Sequence, residues 1–334
     1  MNIVVLAGGL SMERDVSLAS GSLIANALRD AGHNAMLVDL YYGIAKEKMN
    51  FNNVLGRYKY KIPETEPNLD EIIKENGGRE NPVGKNIIEF CKMADVVFLA
   101  LHGGVGENGK LQSLLEMNGI RFTGSSSVGC MLSMDKIISK ELIARANIPT
   151  ANWLTNKSSM EELKTLVPCF VKPADNGSSV GVTKVVSEVE LEYALAEAEK
   201  FSENILVEEQ VVGREFSVGI IDGKALPPIE IIASGDFYNY KVKYQAGLAH
   251  EICPANLDKK YTKKLQEYAE RAHRVLRLGS YSRIDFIMDE QGEFFFLEAN
   301  ALPGMTPTSL LPQEAAAQGM DYTTLCLKLI DLAK

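Results

Sequence analysis

From Asn2 to Gly124 short apolar runs alternate with helix-periodic segments, and this alternation limits the fold more than any other feature. NIVVLAG, AMLVDL, DVVFLALHG and IRFTG read as strands, with SLASGSLIANALRDAG and LQSLLEMNG as helices between them. Such a succession predicts a parallel, helix-flanked sheet that binds ligands at the carboxyl ends of its strands. The stretch between Tyr41 and Lys85 is polar and rich in Lys, Asn, Glu and Pro, so residues 42–85 read as an insertion in this pattern.

Beyond it the chain changes character. The helical pattern SVGCMLSMDKIISKELIARANI leads to Pro149, a candidate boundary. PCFVKPADNGSSVGVTKVV then reads as strand, Gly/Ser loop and strand, followed by a charged helix and the strand NILVEEQVV. From Gly213 the sequence is strand-rich up to the helix DKKYTKKLQEYAERAHRVLRLG; the hairpin YSRIDFIMDEQGEFFFLEAN and a final helix follow. The fold class expected is α/β followed by α+β.

With 334 residues there is material for two or three domains. A net charge of −9 argues against nucleic acid or an anionic membrane as the main partner. No apolar run approaches the roughly 20 residues of a membrane helix. MNIVVLAGG lacks a basic leader region and reads as a first strand rather than a signal peptide, so a cytoplasmic protein is expected. The five cysteines are scattered without a CxxC, a pattern that suits reduced, buried thiols.

The hairpin carries the strongest chemical signal. A two-residue Gln291–Gly292 loop would set Asp285 opposite Glu298 and Arg283 opposite Asn300, all four side chains on one face. Two carboxylates and an amide oxygen converging there suit Mg²⁺, a hard cation that shares its shell with phosphates and water. Arg283 beside them would balance charge or stabilise an oxyanion. An ordinary salt-bridged surface hairpin fits the same residues.

FVKPADNGSSVGV places Lys172 at a strand end before a loop of Gly177, Ser178, Ser179 and Gly181. Small residues let backbone N–H groups close over phosphate oxygens, although a plain turn has the same composition and no Walker A pattern is present. Lys136, in SMDKIISK, reads equally as a solvated helix face. Glu13 and His102 lie in Gly-rich loops that follow two strands of the first region, LAGGLSMERDVS and ALHGGVGENGKLQ. Glu13 suits a cationic amine or is simply a loop acid, and His102, with Glu107 nearby, gains interest from that shared edge.

In order along the chain, GGLSMERDVSLASG, LHGGVGENGKLQ, FTGS, SMDK, FVKPADNGSSVGV, VEEQVVGREF, YNYKVKY, CPA, SRIDF and LEANALPGMTPTSL resemble the D-alanine–D-alanine ligases of the ATP-grasp superfamily. The resemblance implies a three-domain ATP-grasp fold. An N-terminal domain would cover 1–124, a central subdomain 125–211, and a C-terminal subdomain with the metal site 212–334. It also implies ATP as a substrate, two Mg²⁺ with Mn²⁺ as an alternative, D-alanine as the other substrate and a homodimer.

Residue by residue, Lys136 and Lys172 match lysines on the ATP phosphates, and Gly177, Ser178, Ser179 and Gly181 match the flap over them. Glu208, Glu209 and Val211 resemble the strand that reads adenine, and Glu215 the ribose-binding acid. Asp285, Glu298 and Asn300 match the metal ligands. Arg283 and the backbone of Gly304 match the site that stabilises the tetrahedral intermediate. Glu13 and His102 match contacts to the first D-alanine; Ser309 and Leu310 match the pocket for the second. Lys243 and Tyr244 fall on the family's mobile loop, Tyr244 being linked there to Ser178 and Glu13.

The chain departs from the family pattern at Glu209, where many members have lysine, at Asn108 and at Asn239. Relatives use D-serine or D-lactate as the acceptor. Tyr244 in KVKYQ, with its spacing to CPA, favours an amine over lactate, while a histidine at 250 on the same loop is of a type that alters the charge preference of the second site; D-alanine is the acceptor expected. A nucleotide-binding regulator without catalysis is the reading from another class; it would have lost a metal ligand or a phosphate lysine, and this chain retains them.

Overall fold

The computed structural model describes residues 1–51, 56–63, 65–177, 180–233 and 249–334. Ser178, Ser179, Lys243 and Tyr244 lie outside the described residues.

The expected parallel sheet is formed by β1 (Asn2–Ala7), β2 (Asn34–Asp39) and β3 (Val96–Leu99), in the order β2-β1-β3. Ile3 to Ala7 are fully buried, as a central strand covered on both faces requires. The helix Arg14–Asp30 makes the first crossover and packs so closely that a Cβ on Gly21 would lie 2.6 Å from that of Ala7. The insertion is fastened to this helix and to the short helix Ile87–Cys91. Asn26 exchanges two hydrogen bonds with the backbone of Tyr58, at 2.8 and 3.0 Å, and Phe51 stacks on Phe90.

The helical pattern before Pro149 forms two helices, Ser127–Met134 and Lys136–Arg145. Asp135 breaks it: its side chain accepts the N–H groups of Ile137 and Ile138 and caps the second helix. This puts Lys136 in the first turn and Lys140 one turn further on.

A second, antiparallel sheet contains β4 (Trp153–Thr155), β5 (Cys169–Pro173), β6 (Thr183–Val185) and β7 (Ile205–Glu209), in the order β4-β7-β5-β6. The third consists of β8 (Arg214–Ile221), β9 (Lys224–Ala225), β10 (Ile229–Ala233), β11 (Ala249–Ile252), β12 (Tyr281–Met288) and β13 (Phe294–Asn300). Its order is β11-β10-β8-β12-β13, with β9 paired to β8. Leu265, Ala269 and Ala272 of the helix Lys259–Val275 pack against Phe216, Val218, Ile284 and Phe286 of this sheet.

The end of the chain forms two helices, Leu310–Ala317 and Tyr322–Asp331, where the sequence suggested one. Gly319, at φ +86°, interrupts them, and the Asp321 carboxylate caps the second through the Thr324 N–H at 2.7 Å. Leu325 and Leu329 enter the core of the first sheet beside Leu99 and Leu111, so the chain's end packs against its beginning.

Candidate active site

Asp285 faces Glu298 and Arg283 faces Asn300 across β12 and β13, the pairing expected from the sequence. The route to it differs. The hairpin closes with a three-residue loop, Asp289 N–H bonding to Glu293 O at 3.0 Å and Gly292 at φ +80°. A bulge between Asp285 and Phe286 then restores the register, because Leu297 has no counterpart on β12. Two one-residue departures cancel.

Asp285 is buried and fully engaged. Arg283 donates to it from Nε (2.9 Å) and Nη2 (2.8 Å), Asn300 Nδ2 at 3.1 Å, and Ser217 Oγ, on the paired strand β8, at 2.6 Å. Glu298 and Asn300 are half-buried at the strand's end. The donor set is thus two carboxylates and an amide oxygen, hard ligands on one face that fit Mg²⁺. No group of three or more His, Cys, Asp or Glu residues among the described residues could hold a metal. Ser217 was not legible in the sequence, because it reaches Asp285 only through a pairing between β8 and β12.

At the second sheet Lys172, on β5, forms an ion pair with Glu208 of β7, and the same carboxylate pairs with Lys140 of the helix Lys136–Arg145. Burial alone would push the Glu208 carboxyl up, but the charges of Lys172 and Lys140 outweigh it and hold it below the usual range. Lys136 Nζ donates to the Asn176 carbonyl at 2.5 Å, at the start of the Gly/Ser loop. Gly177 and Gly181 flank that loop, Gly181 at φ +73°. Lys140 was missed in the sequence, though its position four residues after Lys136 in SMDKIISK was a usable helical signal.

Strand alternation puts Glu209 on the other side of β7 from Glu208. Its carboxylate is bonded by Asn152 Nδ2 at 2.7 Å and lines an open cleft of ≈ 570 Å³ with Val211, Asp289 and Glu290. None of Lys136, Lys172 and Glu208 lines this cleft. Glu215 lies on β8, paired with Ile231 and Ile287, apart from Asp285 along the same sheet.

The first-sheet loops meet the end of β13. Leu302, two residues past Asn300, has both backbone groups held: its N–H by Glu107 Oε1 at 3.2 Å and its carbonyl by His102 Nδ1 at 3.1 Å. Glu107 also accepts the Gly103 N–H at 2.7 Å, and burial beside Glu13 pushes its carboxyl up to about 7. Burial lowers the pKa of His102, with nearby Glu13 opposing, and its Nε2 has no protein partner among the described residues. Glu13 stands at the N-terminus of the helix Arg14–Asp30, its Oε2 within 3.1 Å of where a Gly103 Cβ would be.

The turn after Asn300 leads to Ser309, at the N-terminus of the helix Leu310–Ala317. Ser309 Oγ bonds the Thr306 N–H at 3.1 Å and packs over Gly304, where a Cβ would approach it to 2.7 Å. Leu310 is buried behind it. Glu314, one turn on, is wholly buried and holds the Gly219 N–H at 2.8 Å; burial raises its carboxyl well above the usual range. The sequence pattern had pointed to none of this for Glu314.

The sequence matches the family profile "D-ala D-ala ligase N-terminus" over residues 2–125 and "D-ala D-ala ligase C-terminus" over residues 142–331. It is 41% identical to a D-alanine–D-alanine ligase of Pediococcus pentosaceus over 99% of this chain and 97% of that one. With a ligase of the same name from Lacticaseibacillus casei it shares 40%, over 99% and 95%. Among solved structures it resembles the Bacillus anthracis D-alanine–D-alanine ligase complexed with ATP (TM-score 0.77, 28% identity, covering 99% and 96%). It also resembles the VanG D-Ala:D-Ser ligase of Enterococcus faecalis (TM-score 0.79, 28% identity, covering 99% of each).

Proposed function

Because the chain belongs to the D-alanine–D-alanine ligase family, we propose that it joins two D-alanines into D-alanyl-D-alanine, converting ATP to ADP and phosphate, for peptidoglycan precursor synthesis. The observation that carries this reading is the opposition of Asp285 and Glu298 beside Arg283 and Asn300.

A carboxylate and an amine do not condense at neutral pH, because the carboxylate is a poor electrophile. One carboxylate oxygen of the first D-alanine attacks the γ-phosphorus of ATP, the bond to ADP breaks, and a D-alanyl phosphate forms. Lys136, Lys172 and Arg283 offset charge on the transferring group. Asp285, Glu298 and Asn300 would hold two Mg²⁺, or Mn²⁺, which when bound supplies Lewis-acid stabilisation of phosphate oxygens. Glu13 and His102 orient the first D-alanine, and Ser309 and Leu310 the second. The second amine then attacks the acyl carbon. The oxyanion is stabilised by Arg283 and the Gly304 N–H, and phosphate leaves as the amide forms.

Glu208, with the backbone from Glu209 to Val211 at and beyond the end of β7, reads adenine in this proposal, and Glu215 the ribose. Gly177, Ser178, Ser179 and Gly181 close over the phosphates, Lys243 binds ATP, and the loop 235–252 that carries Tyr244 excludes water from the acyl phosphate. The division into 1–124, 125–211 and 212–334, the homodimer and the cytoplasmic location belong to the same proposal. No helix among the described residues is long and apolar enough to cross a membrane.

The likeness to the VanG D-Ala:D-Ser ligase keeps D-serine as a second reading for the acceptor. Phosphate release from Mg-ATP with and without D-alanine tests the ligase reading, which fails if D-alanine adds nothing. Mass spectrometry of products from D-alanine mixed with D-serine or D-lactate tests the acceptor. Predominant D-Ala-D-Lac near pH 6, or predominant D-Ala-D-Ser, would overturn D-alanine.

A further inference from the structure

Glu208 is shared by two lysines that have different surroundings. Lys172 keeps some contact with solvent, its side chain 12% exposed, whereas Lys140 is sealed at 1%. Beyond its bond to Glu208, the Lys140 ammonium donates to Thr150 Oγ1 at 2.6 Å and lies 5.2 Å from the centre of the Trp153 ring. The Thr150 hydroxyl in turn donates to the Phe296 carbonyl at 3.0 Å, on the strand that ends in Glu298 and Asn300. Lys140 is therefore held from three sides and has no path to a phosphate.

In this arrangement the phosphate-facing lysine and the adenine-facing acid are paired with each other. Nucleotide can recruit both only by parting or loosening them. Removing one partner of a buried ion pair leaves the other charge uncompensated and is strongly unfavourable. A standing second cation cancels that penalty.

We propose that Lys140 is a positioning residue for nucleotide binding: it remains the permanent counter-charge of Glu208, so that Lys172 can leave the carboxylate for the phosphates of ATP. The proposal rests on the nucleotide-binding part of the ligase reading. Lys140 touches no substrate. It sets the availability of Lys172 and the rotamer of Glu208.

The test is a double-mutant cycle on the full-length protein, read by the Kd of ADP in the presence of Mg²⁺ and by the KM values for ATP and D-alanine. Lys140→Met is expected to weaken ADP at least about tenfold and to raise the KM for ATP, with the KM for D-alanine changed less than about threefold. Glu208→Gln weakens ADP by itself, and adding Lys140→Met to it is expected to change the Kd less than about twofold, because no carboxylate then needs a counter-charge. Equal losses from Lys140→Met in both backgrounds, or no loss in either, would overturn the proposal. Should Lys140→Met not fold, as judged by circular dichroism, Lys140→Gln takes its place in the same cycle. Absence of D-alanine-dependent phosphate release from the wild-type protein would defeat the ligase reading while leaving the ADP cycle readable.

Discussion

Arg283 and Asp285, two residues apart on one strand, form a two-point ion pair, Nε to Oδ1 at 2.9 Å and Nη2 to Oδ2 at 2.8 Å. Both are on the face where the proposed metal ligands converge, so the arginine takes the place of a cation on a buried carboxylate.

Replacing Arg283 with alanine leaves Asp285 buried with only neutral donors, Ser217 and Asn300. The expected cost is on the order of 3 kcal/mol in metal-free protein, and Mg²⁺ should recover part of it. Thermal melts in chelator and in millimolar Mg²⁺ check this: the Mg²⁺-dependent rise in Tm should be larger for Arg283→Ala than for wild type. Equal rises would mean that the arginine does not stand in for a cation. Turnover should fall by orders of magnitude with either metal condition.

Glu298→Gln keeps shape and removes one negative charge at a half-buried position. Turnover is expected to fall at least about 10²-fold, with a higher Mg²⁺ concentration needed for half-activity, while the Tm in chelator changes little. Titration of D-alanine-dependent phosphate release with Mg²⁺ reads both effects. Unchanged turnover would remove Glu298 from the metal site.

Glu107 provides a pH signature. Its folded pKa of about 7 is raised above the ordinary value of 4.5, so the folded protein favours the protonated acid. Its contribution is complete below pH 4.5 and is lost as pH rises through 7, at most about 3 kcal/mol across that window. Melts from pH 5 to 8 should show wild type losing stability with rising pH relative to Glu107→Gln, which cannot ionise. Parallel curves for the two proteins would contradict the assignment.

Gly304→Ala would push a methyl group to 2.7 Å from Ser309 Oγ, the side chain proposed to hold the second D-alanine. The turn has to shift, so the KM for the acceptor D-alanine should rise about tenfold while the KM for ATP stays within about twofold. Initial rates over both substrates separate these. A larger effect on ATP than on D-alanine would place Gly304 elsewhere in the mechanism.

The hairpin shows why some of the site could be read directly. Period-two alternation and a DEQG turn were enough to bring Asp285, Glu298, Arg283 and Asn300 together, although the real loop is one residue longer and a bulge at Leu297 compensates. Lys136 at a helix start and Lys172 at a strand end were visible for the same local reason. Ser217, Lys140 and Glu107 were harder, since each acts through a partner 68, 68 or 195 positions away. Ser178, Ser179, Lys243 and Tyr244 lie outside the described residues, and their roles rest on family resemblance.

By itself the sequence determined the parallel first sheet and the clustering of oxygen ligands at one strand end, while two segments read as single helices are pairs and IRFTG forms only an isolated bridge to Val97. The sheet and the ligand cluster follow from periodicity and turn chemistry, which act over a few residues. Tertiary structure decided which charges share a partner. It set Glu208 between Lys140 and Lys172, and brought Glu107 and His102 to the two backbone groups of Leu302. Those pairings depend on how distant strands pair and how helices and loops pack on the sheets, and burial turns ordinary ionisable side chains into coupled ones only after that packing has excluded water.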